Sequence, residues 1–393
     1  MLDMPQKWLS RDVLLISLSA FFADAGYQAL IAGFPLFLVI YLRAPVYCLG
    51  IAFALAYGIG SIFSYAGGKL ADRYGKKRIA LFGNALIPIL SFTGFAATAA
   101  QATAIFSAGW WARNFRTPAR RAIIADITSR RHKGKAFGFL NALDVGGGII
   151  AITYLAILLS LHIQFSMIFL ATTIPLAIST ACLALIKYKP KKASFESQGP
   201  VVRKSSIRAY KGILISTAIY GLAFYSLGFP ILTIAQRSGG VIGVGSYIIF
   251  LLSSAIFGFV IGSRRLHGTK VLAVLGYILA GAGSLLVGLY YHFYLGIIVS
   301  YIAVGMLGMA AGVIETLEPT IVSIAKGPAR SGSSMGALTT SRSIGLFASN
   351  IILGVLYAYG PIFSYGFAFI TAAAAGVVLL FAGRRFMTSS RVT

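Results

Sequence analysis

The chain has 393 residues, 58% of them hydrophobic and 11% charged, and its mean hydropathy is +0.84. Soluble domains carry roughly 25% charged residues, so a water-soluble fold of this length is excluded: it has no interior large enough for so much apolar surface. The formal charge of +25 does not point to nucleic acid, because the Lys and Arg stand between apolar runs and no nucleic-acid-binding motif accompanies them.

A spanning helix needs about 20 mostly apolar residues. Twelve such runs follow one another, at 12–41, 45–66, 79–101, 103–127, 135–160, 164–187, 209–236, 241–262, 270–291, 294–325, 333–358 and 362–383. The first is too long for the apolar core of a signal peptide and has no small-residue cleavage site behind it, so it is read as the first span. An even number of spans puts both termini on one side. Of the 34 Lys and Arg, 27 fall in the segments on that side, whereas the other side has only Arg43 and Arg237. The positive-inside rule then predicts cytoplasmic termini and a cytoplasmic 187–211 segment, in the cytoplasmic (inner) membrane of a cell. That segment is rich in Lys, Ser and Pro and reads as a solvated tether beside anionic headgroups. The expected organisation is a six-helix bundle at 1–187, a linker at 188–208 and a second six-helix bundle at 209–393. Cys48 and Cys182 fall near opposite membrane faces, too far apart for a disulfide.

The two halves share traces of a repeat. Gly33-Phe34-Pro35-Leu36 in span 1 matches Gly228-Phe229-Pro230-Ile231 in span 7, and Gly134 and Gly138 at the start of span 5 match Gly332 and Gly336 at the start of span 11. Parallel six-helix repeats are a common transporter architecture, with the substrate site near the midplane.

An ionisable side chain at bilayer depth costs about 2.5–3.5 kcal/mol and therefore faces a cavity or a partner. Away from span ends, such residues are Asp24, Arg113, Arg116, Asp144, Glu315, Glu318 and Arg342, on spans 1, 4, 5, 10 and 11. Asp24 has Tyr27 and Gln28 on its own helix face, one turn away. A carboxyl in that polar stripe is a candidate for taking up and releasing a proton, and Asp144 is a second. Arg113 and Arg116 keep their charge, so they are expected to hold an aspartate or an anionic substrate group. Glu315 and Glu318 share a helix face and are placed to meet Arg342. Arg120, Arg121 and Asp126 lie nearer the cytoplasmic face, where snorkelling and local pairing are expected. Tyr27, Gln28, Trp110, Trp111, Tyr220 and Tyr225 are candidate cavity side chains. In Gly146-Gly147-Gly148, close helix packing is favoured over a bend.

Between spans 2 and 3 stands Gly68-Lys69-Leu70-Ala71-Asp72-Arg73-Tyr74-Gly75-Lys76-Lys77-Arg78, read as a tight cytoplasmic loop. It resembles the G-x-L-a-D-r-x-G-r-k-r signature of the major facilitator superfamily. Span 4 adds Arg116-Thr117-Pro118-Ala119-Arg120 and Asp126, similar to a prokaryotic branch with an R-T-P-x-R pattern, although Arg121 stands where that pattern has an acid. The second-half counterpart, Gly262 to Lys270, lacks the Asp. The resemblance implies an all-α integral membrane protein with the twelve-helix fold of that family, two six-helix bundles related by a pseudo-twofold axis. It also implies a gating role for Gly68, Asp72, Arg73, Gly75 and Lys76.

The expected function is a secondary active transporter moving a small solute by alternating access, proton-coupled through Asp24 and Asp144. Tyr27, Gln28, Arg113, Arg116, Tyr220, Tyr225, Glu315 and Arg342 are expected to line its cavity. Efflux of drug-like or metabolite compounds is slightly favoured, even though the Pro of the exporter signature is missing from span 5. The partners expected are the solute, protons and the lipid bilayer, with no nucleic acid, no cofactor and no metal, in a chain acting as a monomer. A uniporter or organic-anion carrier using the buried Arg is the alternative. An integral membrane enzyme or a receptor is remote: His132, His162, His267 and His292 form no metal-ligand pattern, and no nucleophile-and-base pair stands out.

Overall fold

The structure, a computed structural model, describes residues 9–128, 132–188, 204–263, 268–326 and 331–387. In hydrocarbon every backbone N–H and C=O must be satisfied within the chain, which leaves the helix as the economical spanning element. Among the described residues twelve helical segments result: α1 Arg11–Tyr41, α2 Val46–Tyr74, α3 Lys76–Phe95, α4 Ala99–Ile127, α5 Lys133–Ser160 and α6 Phe165–Ala184. Then come α7, in two pieces Lys204–Ala223 and Gly228–Ser238, α8 Gly240–Ser263, α9 Thr269–His292, α10 Ile297–Lys326, α11 Ser331–Tyr359 and α12 Pro361–Met387. Eleven of the twelve are long and apolar enough to cross a membrane on composition alone. The other is α4, which carries Arg113, Arg116, Arg120, Arg121 and Asp126.

Contacts divide the chain into two compact units, one comprising Met1–Arg43 with Ile59–Ser194, the other Ala44–Gly58 with Phe195–Thr393. The expected 1–187 bundle differs from this division chiefly in the N-terminal half of α2, which packs on α11 in the second unit. The chain passes between units at Gly58 and Ile59, at the end of a stretch where α2 widens into π turns, Ala54–Ile59. Most of the expected linker lies outside the described residues, and α7 already begins at Lys204.

Within each unit the helices pair in the same pattern. In the first, α1 packs on α5 and α6, α2 on α4, and α3 on α4 and α6; in the second, α7 packs on α11 and α12, α8 on α10, and α9 on α10 and α12. Lipid gives helices no hydrophobic reason to associate, so close van der Waals approach over small residues must hold them. Gly67 of α2 faces the Phe115 carbonyl of α4, and Gly147 of α5 faces the Phe21 carbonyl of α1, each so closely that an added Cβ would overlap it. The corresponding crossings of the second unit use Gly312 of α10 against Ser254 and Gly345 of α11 against Ala218. Gly147 thus serves packing, as favoured from the sequence.

Two local expectations are corrected. The Gly68-to-Arg78 motif is not a loop: its first seven residues continue α2 to Tyr74, and Gly75 alone makes the turn, with φ 98°, a backbone conformation open to Gly because it has no Cβ. Span 7 is not one helix. It breaks at Phe224–Leu227, where Ser226 Oγ accepts from the Gly228 N–H at 3.2 Å and Asn350 Oδ1 of α11 accepts from the Ser226 N–H at 3.2 Å. The related Gly33-Phe34-Pro35 stretch keeps its helix, passing through π turns at Leu36–Tyr41.

Replacing Gly67 by Ala is expected to destabilise the purified protein by about 1–3 kcal/mol, read as a lower melting temperature in detergent. Gly138→Ala, where the new Cβ meets open space, is expected to leave it unchanged; equal effects would contradict the role given to the α2–α4 crossing.

Candidate functional site

The in-membrane charges gather into one cluster per unit. In the first unit, α1 carries Asp24, α4 carries Arg113, Arg116 and Arg120, and α5 carries Asp144. The α1–α5 crossing at Gly147 places Asp144, one turn earlier, on the part of α5 that meets α1, where its carboxyl and that of Asp24 act on each other electrostatically. Gln28 Nε2 donates to Asp24 Oδ1 at 3.0 Å, while Asp24 Oδ2 and Asp144 Oδ1 accept no hydrogen bond. Arg120 Nη2 stands 3.6 Å from Asp144 Oδ1, with the Arg120 side chain 5% exposed. Snorkelling therefore does not describe Arg120; its head turns inward because a carboxylate is there to receive it.

The other two guanidiniums differ. Arg116 is fully buried and donates to Asn84 Oδ1 of α3 at 2.5 Å; Asn84 Nδ2 in turn donates to Ser179 Oγ at 3.2 Å and to Thr180 Oγ1 at 2.7 Å on α6. Ser179 also donates to the Ser19 carbonyl of α1 at 2.6 Å. A buried cation is thus held by a neutral network that ties α1, α3, α4 and α6, away from any surface. Arg113 is half-buried, with its guanidinium 4.6 Å from the Trp110 ring centre and 5.0 Å from that of Tyr27. Its hydrogen bonds to Tyr27 Oη and Asn114 Oδ1 are long, 3.4 and 3.3 Å. Of the expected cavity residues here, Gln28 and Arg113 reach a surface, whereas Tyr27 and Arg116 do not.

In the second unit Arg342 of α11 bridges Glu315 and Glu318 of α10, as their spacing suggested. Glu318 is fully buried and also accepts from Tyr277 Oη at 2.6 Å and Thr217 Oγ1 at 3.3 Å. Tyr220 is committed to packing: it is 3% exposed and stacks on Tyr277, with ring centres 4.5 Å apart. Tyr225 Oη donates to Ser284 Oγ at 2.9 Å.

At the end of the first unit where Gly75 joins α2 to α3, Lys76 Nζ pairs with Asp126 Oδ2 at 2.7 Å, and Tyr188 Oη donates to the same oxygen at 2.5 Å. Burial, and after it the hydrogen bond to Asp126, hold the Tyr188 hydroxyl above its ordinary range. Lys77 Nζ caps the end of α6 through the Ala184 and Ile186 carbonyls at 2.8 and 2.7 Å. Asp72 and Arg73 are exposed; Asp72 has no ion pair or hydrogen bond among the described residues, and Arg73 lies over the Tyr74 ring at 5.2 Å. Gly68 packs near Pro118.

Sequence reasoning missed Asn84, Thr217, Tyr277 and Asn350. Each is a polar side chain in a run otherwise apolar, and the cost of an unsatisfied polar group in hydrocarbon was the signal that marked them. Arg342→Gln is expected to leave Glu318 buried without its cation and to destabilise the protein by about 3–5 kcal/mol in thermal unfolding. Arg342→Lys recovers only part, because an ammonium lacks the planar fork that bridges two carboxylates; a neutral Arg342→Gln would contradict this.

No curated protein matches the sequence. Solved structures with the same fold include a POT family transporter in complex with a thioalcohol-conjugated peptide (TM-score 0.78, 14% identity, 96% of this chain and 97% of that one). A mutant form of the nucleoside transporter NupG (0.74, 15%, 96% and 99%) and a D-xylose-proton symporter (0.74, 13%, 95% and 97%) are also similar. The family model of the Major Facilitator Superfamily matches residues 16–350. The chain is therefore a multi-pass membrane transporter rather than an enzyme, and it belongs to the Major Facilitator Superfamily.

Proposed function

We propose that the protein is a proton-coupled secondary transporter of a small organic solute, and that Asp24 and Asp144 together form its proton site. The observation that carries this reading is that Asp24 Oδ2 and Asp144 Oδ1 are buried acceptor oxygens without a hydrogen bond on neighbouring carboxyls, with Arg120 Nη2 no nearer than 3.6 Å to Asp144 Oδ1. Neighbouring carboxylates repel, and each buried oxygen without a hydrogen bond costs about 1–3 kcal/mol. One proton shared between the two carboxyls removes both penalties. Losing that proton leaves two charges, which Arg113 and Arg120 on α4 are placed to stabilise, so protonation and the position of α4 relative to α1 and α5 are linked. A D-xylose-proton symporter among the similar folds supports the same reading.

In this proposal the transporter works as a monomer in the cytoplasmic membrane with both termini in the cytoplasm. Asp72 at the end of α2 acts as a gate contact on the cytoplasmic side, and the Lys76–Asp126–Tyr188 group holds the α3–α4 end of the first unit together while it moves. Glu318, already saturated by Arg342, Tyr277 and Thr217, is assigned a structural role.

Reconstituted in liposomes, the wild type is expected to concentrate its solute in response to an imposed pH gradient. Asp24→Asn is expected to lose that response and to retain solute counterflow, which needs no net proton movement. Wild-type flux indifferent to the gradient would refute the coupling.

A further inference from the structure

We infer that the first unit binds an organic carboxylate, with Arg113 as the residue that receives it on a stacked aromatic shelf. This deepens the proton-coupled reading and rests on it for the pH dependence, though not for the binding itself.

The buried cluster holds three guanidiniums, those of Arg113, Arg116 and Arg120, against the two carboxyls of Asp24 and Asp144. When those two share a proton, three positive charges face one negative charge. Uncompensated charge at bilayer depth is costly, so an anion entering the unit is favoured. Arg116 is sealed behind α3 on Asn84, and Arg120 is turned to Asp144. Arg113 alone of the three is half-buried, and it forms no ion pair among the described residues.

Its donors are held but not saturated. Nε has no partner, and the two other contacts, 3.3 and 3.4 Å to neutral oxygens, lie beyond the usual 2.7–3.2 Å range. A carboxylate would replace them with charge-assisted bonds about twice as strong. The flat face of the guanidinium is covered by Trp110 and Tyr27, and behind Trp110 the rings continue. Trp110 lies parallel to Phe106 with an interplanar angle of 8°, and Phe106 is stacked on Phe34 with ring centres 4.1 Å apart. That array fixes the plane of Arg113 before a ligand arrives, which lowers the ordering cost of binding.

The groups facing Asp24 are Asp144 from α5, Arg113 and Arg116 from α4, and Tyr27 and Gln28 from its own helix; α6 presents Ser179 and Leu176 to the same stretch of α1. An ionised Asp24 competes with a substrate carboxylate for Arg113. Protonation of the aspartate pair ends that competition, so anion and proton enter the site together.

The test uses the full chain in nanodiscs, with benzoate, phenylacetate and indole-3-acetate as probes and their amides as matched neutral controls. Tryptophan fluorescence and melting temperature report binding. At least one carboxylate is expected to bind, with its amide about tenfold weaker or worse. Arg113→Gln is expected to abolish the discrimination, and Arg113→Lys, which keeps the charge but not the fork, to weaken carboxylate binding by about tenfold. In the wild type, affinity should rise as pH falls from about 8 to about 6, and in Asp24→Asn it should be high at both. The inference is overturned if no carboxylate binds below about 10 mM, if amides bind as well, or if Arg113→Gln retains the preference. Carboxylate binding through Arg113 without pH dependence would sink the proton reading and leave the anion site standing. Gradient-driven flux in a protein that ignores carboxylates would do the reverse.

Discussion

Charge inside a bilayer has to be compensated within the reach of the side chains that carry it, and that constraint organises both units of this protein. Among the described residues, eight ionisable side chains form the two in-membrane clusters, five in the first unit and three in the second. In the second unit the charges are paired directly: Arg342 bridges two glutamates, and Glu318 takes two further hydroxyl donors, leaving Arg342 Nε without a hydrogen bond. In the first the pairing is only partial. Asp24, Asp144, Arg113, Arg116 and Arg120 all keep polar atoms without partners, which the proposed proton and anion would satisfy.

Geometry follows from that need. A carboxyl on α1 meets one on α5 only if the two helix axes come very close, and Gly147 against the Phe21 carbonyl is what allows it. Gly67 does the same for α2 and α4, holding the arginine-bearing helix in a groove. The equivalent crossings in the second unit, at Gly312 and Gly345, show one packing solution used twice with different charges mounted on it. The unequal saturation of the two clusters is thus a property of side chains laid over a repeated helix arrangement.

Much of the fold could be read from the residues. The apolar runs are separated by basic breaks, so the twelve helices were legible, and the i, i+3 spacing of Glu315 and Glu318 anticipated their common partner. The motif from Gly68 to Arg78 identified the family, yet its polar composition misled about its shape: α2 continues through it because charged residues beyond the membrane face are as compatible with helix as with loop, and only Gly75 requires a turn. The break in α7 was signalled by Ser226 two residues before Gly228 and by Pro230 just inside the second piece, a helix-start pattern that an unbroken apolar run concealed. Arg120 could not be placed from sequence, since whether it snorkels or turns inward depends on Asp144, 24 positions away on another helix. Asn84 was passed over for a similar reason: its importance lies in the cation it holds, which comes from α4.

The central claim is that Asp24 and Asp144 hold one proton between them. Infrared difference spectroscopy of the substrate-free protein during a pH titration tests it most directly, because a protonated carboxyl has a carbonyl stretch that a carboxylate lacks. The account predicts a carboxyl band that titrates in the wild type and is shifted or lost in both Asp24→Asn and Asp144→Asn. A band that survives both substitutions unchanged, or no titrating carboxyl at all, would contradict it.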